Sequence, residues 1–192
     1  MTETKVGLLR HGQTDWNIDL RLQGSSDIPL NETGIAQAHS ASLKMNIGDW
    51  DVILASPLSR ARDTAQIFAD KLGLQVAVIP ELVERSFGSA EGLAHGEWRK
   101  LYESGTHIEG LESLEDLRAR AINLLSILAN QYAGQRVLAV SHGAYIRKLL
   151  RIVSNDVYPG DGDRLANVSL NLLGHRDGIW EVLDYNPSSL AD

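Results

Sequence analysis

An arginine and a histidine, Arg10 and His11, stand side by side near the start of the chain, directly after the apolar residues 6–9. A guanidinium group is permanently charged and binds phosphate oxygens through paired N–H donors. An imidazole can act as a nucleophile or as a base near neutral pH. The apolar run predicts a short buried strand, and open α/β sheets bind ligands at the C-terminal ends of such strands. By itself the pair fits an anion site and a chance neighbourhood equally well.

Two further strand ends carry the same residue types. Residues 52–55 and 136–140 predict strands; Arg60 falls in the first helical turn after the former, and His142 follows shortly after the latter. If these strands are parallel neighbours of the first, all four side chains meet at one edge of the sheet. Helices that begin there would add backbone N–H donors and a partial positive charge. The agreement of three strand ends predicts a site for a phosphate dianion.

The second histidine suggests a reaction as well as binding. A neutral imidazole can attack the phosphorus of a bound phosphoryl group and become a phosphohistidine. Neighbouring arginines would lower the pKa of that imidazole and stabilise the charge on the transferring oxygens. The departing alkoxide needs a proton, so a carboxylic acid is expected near the site.

The elements that must position these groups alternate along the chain. Short runs rich in β-branched residues alternate with longer runs of helical periodicity, which predicts an α/β fold. We expect a three-layer sandwich with a mostly parallel central sheet flanked by helices. Residues 80–111 lack either periodicity and predict a lid or insertion with a short helix at 97–103. Residues 1–192 are expected to form a single domain, since no repeat or linker divides them.

Local signals predict where several elements begin and end. Asn31 is expected to cap a helix whose inner face carries Ile35, Ala38 and Ser42. The Ser-Pro pair at 56–57 predicts the cap and first residue of the next helix. Residues 168–173 and 179–183 predict two strands joined as a hairpin.

Composition limits the class of protein. The 18 Lys and Arg residues against 25 Asp and Glu give a net charge of −7, which argues against a nucleic-acid or membrane partner. The absence of cysteine excludes disulfides, thiolate metal sites and a cysteine nucleophile. The first residues are polar, and no apolar run reaches the ~18 residues of a membrane span. We therefore expect a soluble cytoplasmic protein; its oligomeric state stays open.

Beyond these patterns, the chain resembles the histidine phosphatase superfamily, the phosphoglycerate-mutase-like group, over nearly its whole length. The resemblance rests on an ordered set of short motifs: Arg10-His11-Gly12 with Thr14 and Asn17, Gln23-Gly24, Ser56-Pro57 with Arg60-Ala61, Glu84 with Gly88 and Glu91-Gly92, and Ser141-His142-Gly143.

The resemblance implies a role for each site residue. His11 would be the phosphorylated nucleophile, and Glu84 would protonate the leaving group and then activate water. The implied phosphate pocket consists of Arg10, Arg60 and His142, with Asn17, Gln23, Gly24 and Gly143 beside it. A small phosphorylated metabolite would be the substrate. No metal and no other cofactor is implied, and the implied activity is that of a histidine acid-type phosphatase.

Two features favour the phosphatase branch over the mutases. The interval between His11 and His142 is short for a full mutase lid, and mutases tend to carry Ser or Thr in place of Gln23. The alternatives are a phosphoglycerate-type mutase, a phospho-ligand binding module without catalysis, and a metal-dependent hydrolase that uses both histidines. The last is disfavoured because two arginines would crowd the same site.

The irregular segment offers candidates for the rim of the pocket. These are His95, Trp98, Arg99, Tyr102 and His107, although aromatic residues in such a segment often anchor it to the core instead. Arg62 and Arg85, which flank motif residues, are expected to form ion pairs at the surface.

Overall fold

The computed structural model describes residues 3–160 and 162–191. Within this part of the chain, six strands form one sheet in the order β3-β2-β4-β1-β5-β6. The strands are β1 (Thr4–Arg10), β2 (Val52–Ala55), β3 (Val76–Val78), β4 (Arg136–Ser141), β5 (Leu170–Arg176) and β6 (Ile179–Asp184). The helices are α1 (Asp15–Ile18), α2 (Glu32–Ser42), α3 (Ser59–Leu72), α4 (His95–Glu103), α5 (Leu114–Gln131) and α6 (Gly143–Val153).

The first four strands are parallel. β4 lies between β1 and β2, and β3 lies at the far side of β2. β5 pairs antiparallel with β1 and forms the expected hairpin with β6. The expected α/β fold with a mostly parallel sheet is therefore confirmed, and the C-terminal ends of β1, β4 and β2 are neighbours.

Alternation along the central strands divides the core between two faces. Val6 and Leu8 of β1 pack with the buried sides of α5 and α6, whereas Leu9 packs with α2 and α3. In β4, Val137 and Ala139 pack on the side of α5 and α6, whereas Leu138 and Val140 pack on the side of α2 and α3. Because successive side chains point to opposite faces and both faces are buried, these strands appear in the sequence as continuous apolar runs.

The irregular segment forms a small core of its own above one edge of the sheet. Leu22, Phe87, Ala90 and Ile108 are buried together, and Trp98 of α4 packs edge-on against Phe87. Backbone hydrogen bonds join this segment to the loop at residues 20–24. The two stretches together build the wall around the C-terminal ends of the strands.

Several local predictions need correction. Residues 56–57 do not begin a helix: α3 starts at Ser59, because the backbone at Leu58 is still extended. Ala38 and Ser42 are buried on the inner face of α2 as expected, but Ile35 is 43% exposed, because the face that packs against α3 consists of small residues. β5 starts at Leu170, two residues later than expected, because Val168 has a positive φ of 52°.

The predicted cap of α2 is confirmed. Asn31 caps α2 through a bond from the Gly34 N–H to its side chain. No described helix is long and apolar enough to cross a membrane. The single domain over residues 1–192 stays a prediction.

Candidate active site

A cavity of about 570 Å³ opens at the C-terminal ends of β1, β4 and β2. Its wall contains groups from all three strand ends and from the irregular segment above them. Six arginines lie in this wall: Arg10, Arg21, Arg60, Arg99, Arg147 and Arg164. Of the residues predicted from the sequence, the lining includes Arg10, His11, Asn17, Gln23, Gly24, Arg60, Glu84 and Gly143. The strand ends therefore converge as the parallel topology requires.

His11 follows β1 and is almost completely buried. Its Nδ1 lies 2.6 Å from the carbonyl oxygen of Gly12. Because a carbonyl can only accept, Nδ1 carries the proton, and the lone pair is on Nε2. Burial lowers the pKa of His11 well below its usual value, and the charges of Arg60 and Arg10 lower it further. The lowered pKa favours the neutral ring, in which Nε2 keeps its lone pair, and His11 lies in the lining of the cavity.

The approach of Gly12 to helix α2 leaves no room for a side chain. A Cβ at Gly12 would lie 2.5 Å from the carbonyl oxygen of Gly34. The Gly12 N–H in turn donates to the hydroxyl of Thr64 on α3, at 3.0 Å. These contacts fix the backbone that presents the His11 ring.

Arg10 is held from the opposite end of the chain. Its Nη1 donates to the carbonyl of Leu165 at 2.5 Å, while its buried Nε has no partner among the described residues. Burial lowers the pKa of Arg10 to about 10, although Glu84 partly offsets this effect. The guanidinium therefore remains charged near neutral pH and keeps a donor unused.

Arg60 is fully buried in the first turn of α3. Its two terminal nitrogens each donate at 2.8 Å, one to the carbonyl of Ser26 and one to that of Gly24. Burial lowers its pKa, and the nearby carboxylates of Glu84, Asp27 and Glu91 counteract that change. Arg60 thus places a fixed positive charge beneath the cavity.

His142 lies behind the cavity wall and is not part of the lining. Its ring centroid is 5.2 Å from that of His11. Nδ1 accepts a bond from Nε of Arg60 at 3.2 Å, so Nε2 carries the proton and donates to the Ser56 hydroxyl at 2.7 Å. Burial lowers its pKa well below the usual value, followed by the effects of Arg60, His11 and Arg10. Both ring nitrogens are therefore engaged by protein groups.

Glu84 reaches the cavity from the start of the irregular segment. One carboxylate oxygen accepts from the backbone N–H groups of Arg85 and Tyr145, both at 2.9 Å. The other accepts from the N–H of Ala144 at 3.0 Å. Glu84 therefore caps α6, for which His142 supplies no side-chain cap. The bonds hold the carboxyl group in one orientation at the cavity wall.

This capping corrects one expectation about the helix N-termini. The N–H groups of Ala144 and Tyr145 in α6 bind Glu84, and the N–H of Ser59 in α3 binds Asp27 at 2.7 Å. These donors are therefore occupied by carboxylates of the chain itself. The reason is tertiary: loops distant in sequence fold back over both helix starts.

Glu91 fixes the loop that supports Arg60. Its carboxylate accepts from the backbone N–H groups and hydroxyls of both Ser25 and Ser26, at 2.5–2.9 Å. Burial raises the pKa of Glu91, but these bonds outweigh it and leave the pKa below its usual value. Gly24 has a φ of +55°, and a Cβ there would lie 2.1 Å from Oε1 of Glu91. A glycine is therefore required where this loop turns.

Asn17 and Gln23 make different use of their side chains. Oδ1 of Asn17 accepts from the Thr14 N–H and from Nδ2 of Asn167. Asn167 also donates to the carbonyl of His11 at 3.0 Å. Oε1 of Gln23 is buried without a partner among the described residues. Asn17 thus supports the His11 loop, whereas Gln23 retains an unused acceptor in the wall.

The rim contains both predicted and unpredicted residues. His95 and Arg99 of α4 lie in the lining, whereas Trp98 packs on Phe87, and Tyr102 stacks on Trp98. His107 is exposed and is not part of the lining. Burial lowers the pKa of His95, with further lowering by Arg164 and Arg10.

The sequence did not predict the positions or partners of several arginines. Arg147 and Arg164 lie in the lining, but their sequence neighbourhoods resemble ordinary helix and loop surfaces. Arg120 donates to three carbonyls at residues 81–84, and no local pattern could have shown this. Arg85, expected in a surface ion pair, is buried and donates to the carbonyl of Glu112. Arg62 is exposed.

Carboxylates and histidines do not combine into a metal site here. Within residues 3–160 and 162–191, no group of three or more His, Cys, Asp or Glu side chains could hold a metal ion.

Comparison with known proteins identifies the family. The sequence model of the histidine phosphatase superfamily, branch 1, matches residues 6–188. This chain belongs to the histidine phosphatase superfamily. One relative matches nearly the whole length of this chain. An uncharacterized phosphatase, PhoE, of Bacillus subtilis is 37% identical over 97% of this chain and 96% of its own.

Other superfamily members differ in their named activities. A probable phosphoglycerate mutase, GpmB, of Yersinia pestis is 34% identical over 98% of this chain and 93% of its own. The crystal structure of a phosphoserine phosphatase from Entamoeba histolytica, in complex with 3-phosphoglyceric acid, matches with a TM-score of 0.85 and 29% identity, covering 98% of this chain and 99% of that one. The match to this fold therefore extends over 98% of the chain.

Proposed function

We propose that this protein is a metal-independent phosphomonoester hydrolase that works through a phosphohistidine on His11. The observation that carries the proposal is the state of the His11 ring. Nδ1 is bound to the Gly12 carbonyl, so the lone pair is on Nε2 in a cavity lined by arginines. A neutral imidazole fixed in this tautomer can attack a phosphoryl group without first losing a proton.

The arginines supply the binding and the charge stabilisation. Arg60 is a buried cation and Arg10 a half-buried one in the same lining as His11, and Arg10 keeps its Nε without a partner among the described residues. Phosphoryl transfer spreads negative charge over the non-reacting oxygens, which preorganised N–H donors stabilise. His142 acts indirectly in this proposal, since it fixes Arg60 through Nδ1. Gly143 lies beside Arg10 in the lining, and a Cβ there would make only an ordinary van der Waals contact, 3.4 Å from Nε of Arg10.

Glu84 serves as the acid and then as the base. In the first step Nε2 of His11 bonds to phosphorus, the ester P–O bond breaks, and the carboxyl proton of Glu84 passes to the leaving oxygen. In the second step the Glu84 carboxylate takes a proton from water, the water oxygen bonds to phosphorus, and the P–N bond breaks. Orthophosphate leaves and both residues return to their starting states. The position of Glu84 supports this role, because Glu84 lies in the same cavity lining as His11.

The electrostatics favour chemistry without a metal ion. Arg10 and Arg60 flank both histidines and lower their pKa values. The same positive charges would repel a divalent cation from the place where phosphate is expected. A chelator should therefore leave the rate of phosphate release unchanged.

The substrate class is proposed as a small phosphorylated metabolite. The cavity of about 570 Å³ suits a ligand of that size. The structure of the Entamoeba relative contains 3-phosphoglyceric acid, a molecule of this class. Because a GpmB-type mutase is among the relatives, phosphoryl transfer to a second substrate hydroxyl is the alternative. Isomerisation of 3-phosphoglycerate faster than phosphate release would favour the mutase.

The decisive experiment traps the covalent intermediate. Protein is mixed with ³²P-labelled substrate, quenched in alkali to preserve phosphohistidine, and digested. We expect the label on the peptide that contains His11, no label in His11→Ala, and full labelling in His39→Ala, which alters an exposed histidine. Turnover without label, or label retained in His11→Ala, would refute the mechanism.

A further inference from the structure

Val168 joins the C-terminal end of β1 to the last residues that the structure describes. Its N–H donates to the carbonyl of Arg10 at 3.1 Å, and its carbonyl accepts from the N–H of Leu190, also at 3.1 Å. Val168 is fully buried, and its φ of 52° is one that β-branched residues rarely adopt. A residue keeps such a conformation only when its surroundings impose it. The contacts of Val168 with Leu190 therefore bear on the position of Arg10.

Residues 165–168 make further bonds to Arg10 and His11. The carbonyl of Leu165 accepts from Nη1 of Arg10, and Nδ2 of Asn167 donates to the carbonyl of His11. Residues 165–168 lie between α6 and β5 and belong to neither, so no regular ladder of backbone bonds fixes them. Their position depends on the groups that contact them from behind.

Residues 186–191 supply those contacts through their backbone. The carbonyl of Pro187 accepts from the N–H of Ala166 at 2.8 Å, and Leu190 makes the bond to Val168. Residues 165–168 therefore have backbone partners on two sides: the end of β1 on one and residues 186–191 on the other.

Both ends of this terminal segment are anchored in the fold. The N–H of Asn186 donates at 3.0 Å to Oδ1 of Asn171, which is fully buried in β5. The side chains of Leu190 and Ala191 pack against the apolar cluster that β1, α2 and α3 share and that includes Val168. The segment is therefore a fixed support for residues 165–168.

We propose that residues 186–191 are a positioning segment for Arg10 and His11, and that Leu190 is the residue through which they hold residues 165–168 in place. His11 is the nucleophile only under the proposed function, on which this inference rests. Residues 186–191, all of them described, lie outside the cavity lining, so they act through residues 165–168 and not on the substrate. A nucleophile displaced by about 1 Å can lose roughly 10²-fold in rate.

Amide hydrogen exchange tests this support without any catalysis. The Val168 N–H reports whether its bond to the Arg10 carbonyl stays closed. In Leu190→Ala we expect this amide to exchange about tenfold or more faster, because local opening becomes easier. In Leu190→Met, which keeps the apolar volume, the rate should stay within about threefold of wild type.

Leu74→Ala is the matched control. Leu74 is a partly buried leucine that packs against the same apolar cluster as Leu190. It lies just before β3, at the edge of the parallel strands opposite the cavity. Leu74→Ala should therefore lower the urea midpoint of unfolding, as Leu190→Ala does, but leave the exchange of Val168 close to that of wild type.

The rate of phosphorylation tests the consequence for the reaction. Formation of phosphohistidine from p-nitrophenyl phosphate is followed in single turnovers by quenched flow, under conditions where urea unfolding shows each variant to be folded. We expect a loss of about 10- to 100-fold in Leu190→Ala. Leu190→Met should restore most of the rate, and Leu74→Ala should react as wild type does. Leu190→Val makes the same comparisons with a smaller loss of volume, in case Leu190→Ala does not fold.

A double-variant cycle separates positioning from a general loss of stability. Asn167→Ala removes the bond to the His11 carbonyl. If Leu190 acts through residues 165–168, adding Leu190→Ala to Asn167→Ala should cost much less in rate than Leu190→Ala alone. Fully multiplicative losses, unchanged exchange of Val168 in the Leu190 variants, or equal rate losses in Leu190→Ala and Leu74→Ala would overturn the inference.

The proposed function fails on a different measurement. Wild-type protein that forms no phosphohistidine on His11 would contradict the hydrolase mechanism, whereas the exchange of the Val168 amide in Leu190→Ala would still decide whether residues 186–191 hold residues 165–168 against β1.

Discussion

Arg120 binds Glu112 through two N–H···O bonds of 2.9 Å, directly behind the backbone that carries Glu84. Its other donors reach the carbonyls of Glu81 and Val83, and its guanidinium lies 4.2 Å from the centre of the Tyr145 ring. Since the Tyr145 N–H binds the Glu84 carboxylate, Arg120 contacts both chain segments that meet at this side chain. Arg120 is therefore a positioning residue for the proposed acid.

Replacement of Arg120 should affect substrates according to their leaving groups. In Arg120→Met, we expect kcat/KM for alkyl phosphates to fall by about 10- to 100-fold, because a displaced acid protonates poorly. Hydrolysis of p-nitrophenyl phosphate, whose leaving group needs no proton, should fall only a few-fold. Arg118→Met changes an exposed arginine of the same helix and should be neutral. A uniform loss on both substrates would assign Arg120 a structural role alone.

Removal of the Glu84 carboxyl group should produce a larger difference between alkyl phosphates and p-nitrophenyl phosphate than replacement of Arg120. Glu84→Gln is expected to slow alkyl phosphates by about 10²–10⁴-fold, as for loss of a general acid, with a much smaller effect on p-nitrophenyl phosphate. Steady-state kinetics on both esters provide the measurement, with Glu103→Gln as an exposed control. Equal losses on the two esters would exclude Glu84 from acid catalysis.

The buried histidines should make the fold sensitive to acid. His11 and His142 have pKa values lowered well below 6.5, mainly by burial and then by Arg60. Below pH ~6.5 the unfolded chain binds protons that the folded chain does not, so stability falls as the pH falls. In phosphate-free buffer, each histidine should contribute a slope approaching about 1.4 kcal/mol per pH unit.

Urea unfolding between pH 5 and 7.5 measures this slope. His11→Asn and His142→Asn should each remove one histidine's share, whereas His39→Asn, which alters an exposed side chain, should not. Asp51, whose pKa is lowered to about 2 by Arg136, changes its protonation only at lower pH and so does not contribute to the slope between pH 5 and 7.5. A slope unchanged in both buried-site variants would contradict the prediction.

The Gly24 turn should couple stability to ligand affinity. Gly24→Ala places a Cβ 2.1 Å from Glu91, so the loop that holds Arg60 must move. We expect a loss of about 1–3 kcal/mol in the free energy of unfolding and about tenfold weaker phosphate binding by calorimetry.

Gly48→Ala separates the backbone cost from the contact. Gly48 also has a positive φ, of 93°, but no atom lies within 4 Å of its added Cβ. This variant should lose stability without losing phosphate affinity. Similar affinity losses in the two variants would refute a specific role for the Gly24 turn.

The strand ends could be predicted from the sequence because the relevant signals are local. Residues 6–9, 52–55 and 136–140 are buried apolar runs, and parallel neighbours bring Arg10, Arg60 and His142 close together by topology alone. The buried residues of α5 likewise recur at helical spacing along the sequence. Glu84 came only from the family resemblance, since a single glutamate in an irregular segment has no distinguishing pattern.

Other features depend on loops that return from far along the chain. The capping of α3 by Asp27 and of α6 by Glu84 joins residues 32 and about 60 positions apart. Residues 56–57 were read as a helix start because the local Ser-Pro signal is real, but Asp27 supplies the cap two residues later.

The contacts from Leu165 to Arg10 and from Asn167 to His11 must both form before the site has its native arrangement. Each joins residues more than 150 positions apart. During synthesis Arg10 and His11 emerge early, whereas Leu165 and Asn167, which hold the Arg10 guanidinium and the His11 carbonyl, follow more than 150 residues later. Such distant pairings form slowly and late in folding. Until residues 165 and 167 have folded into place, Arg10 and His11 therefore lack two of the contacts that fix them in the native cavity.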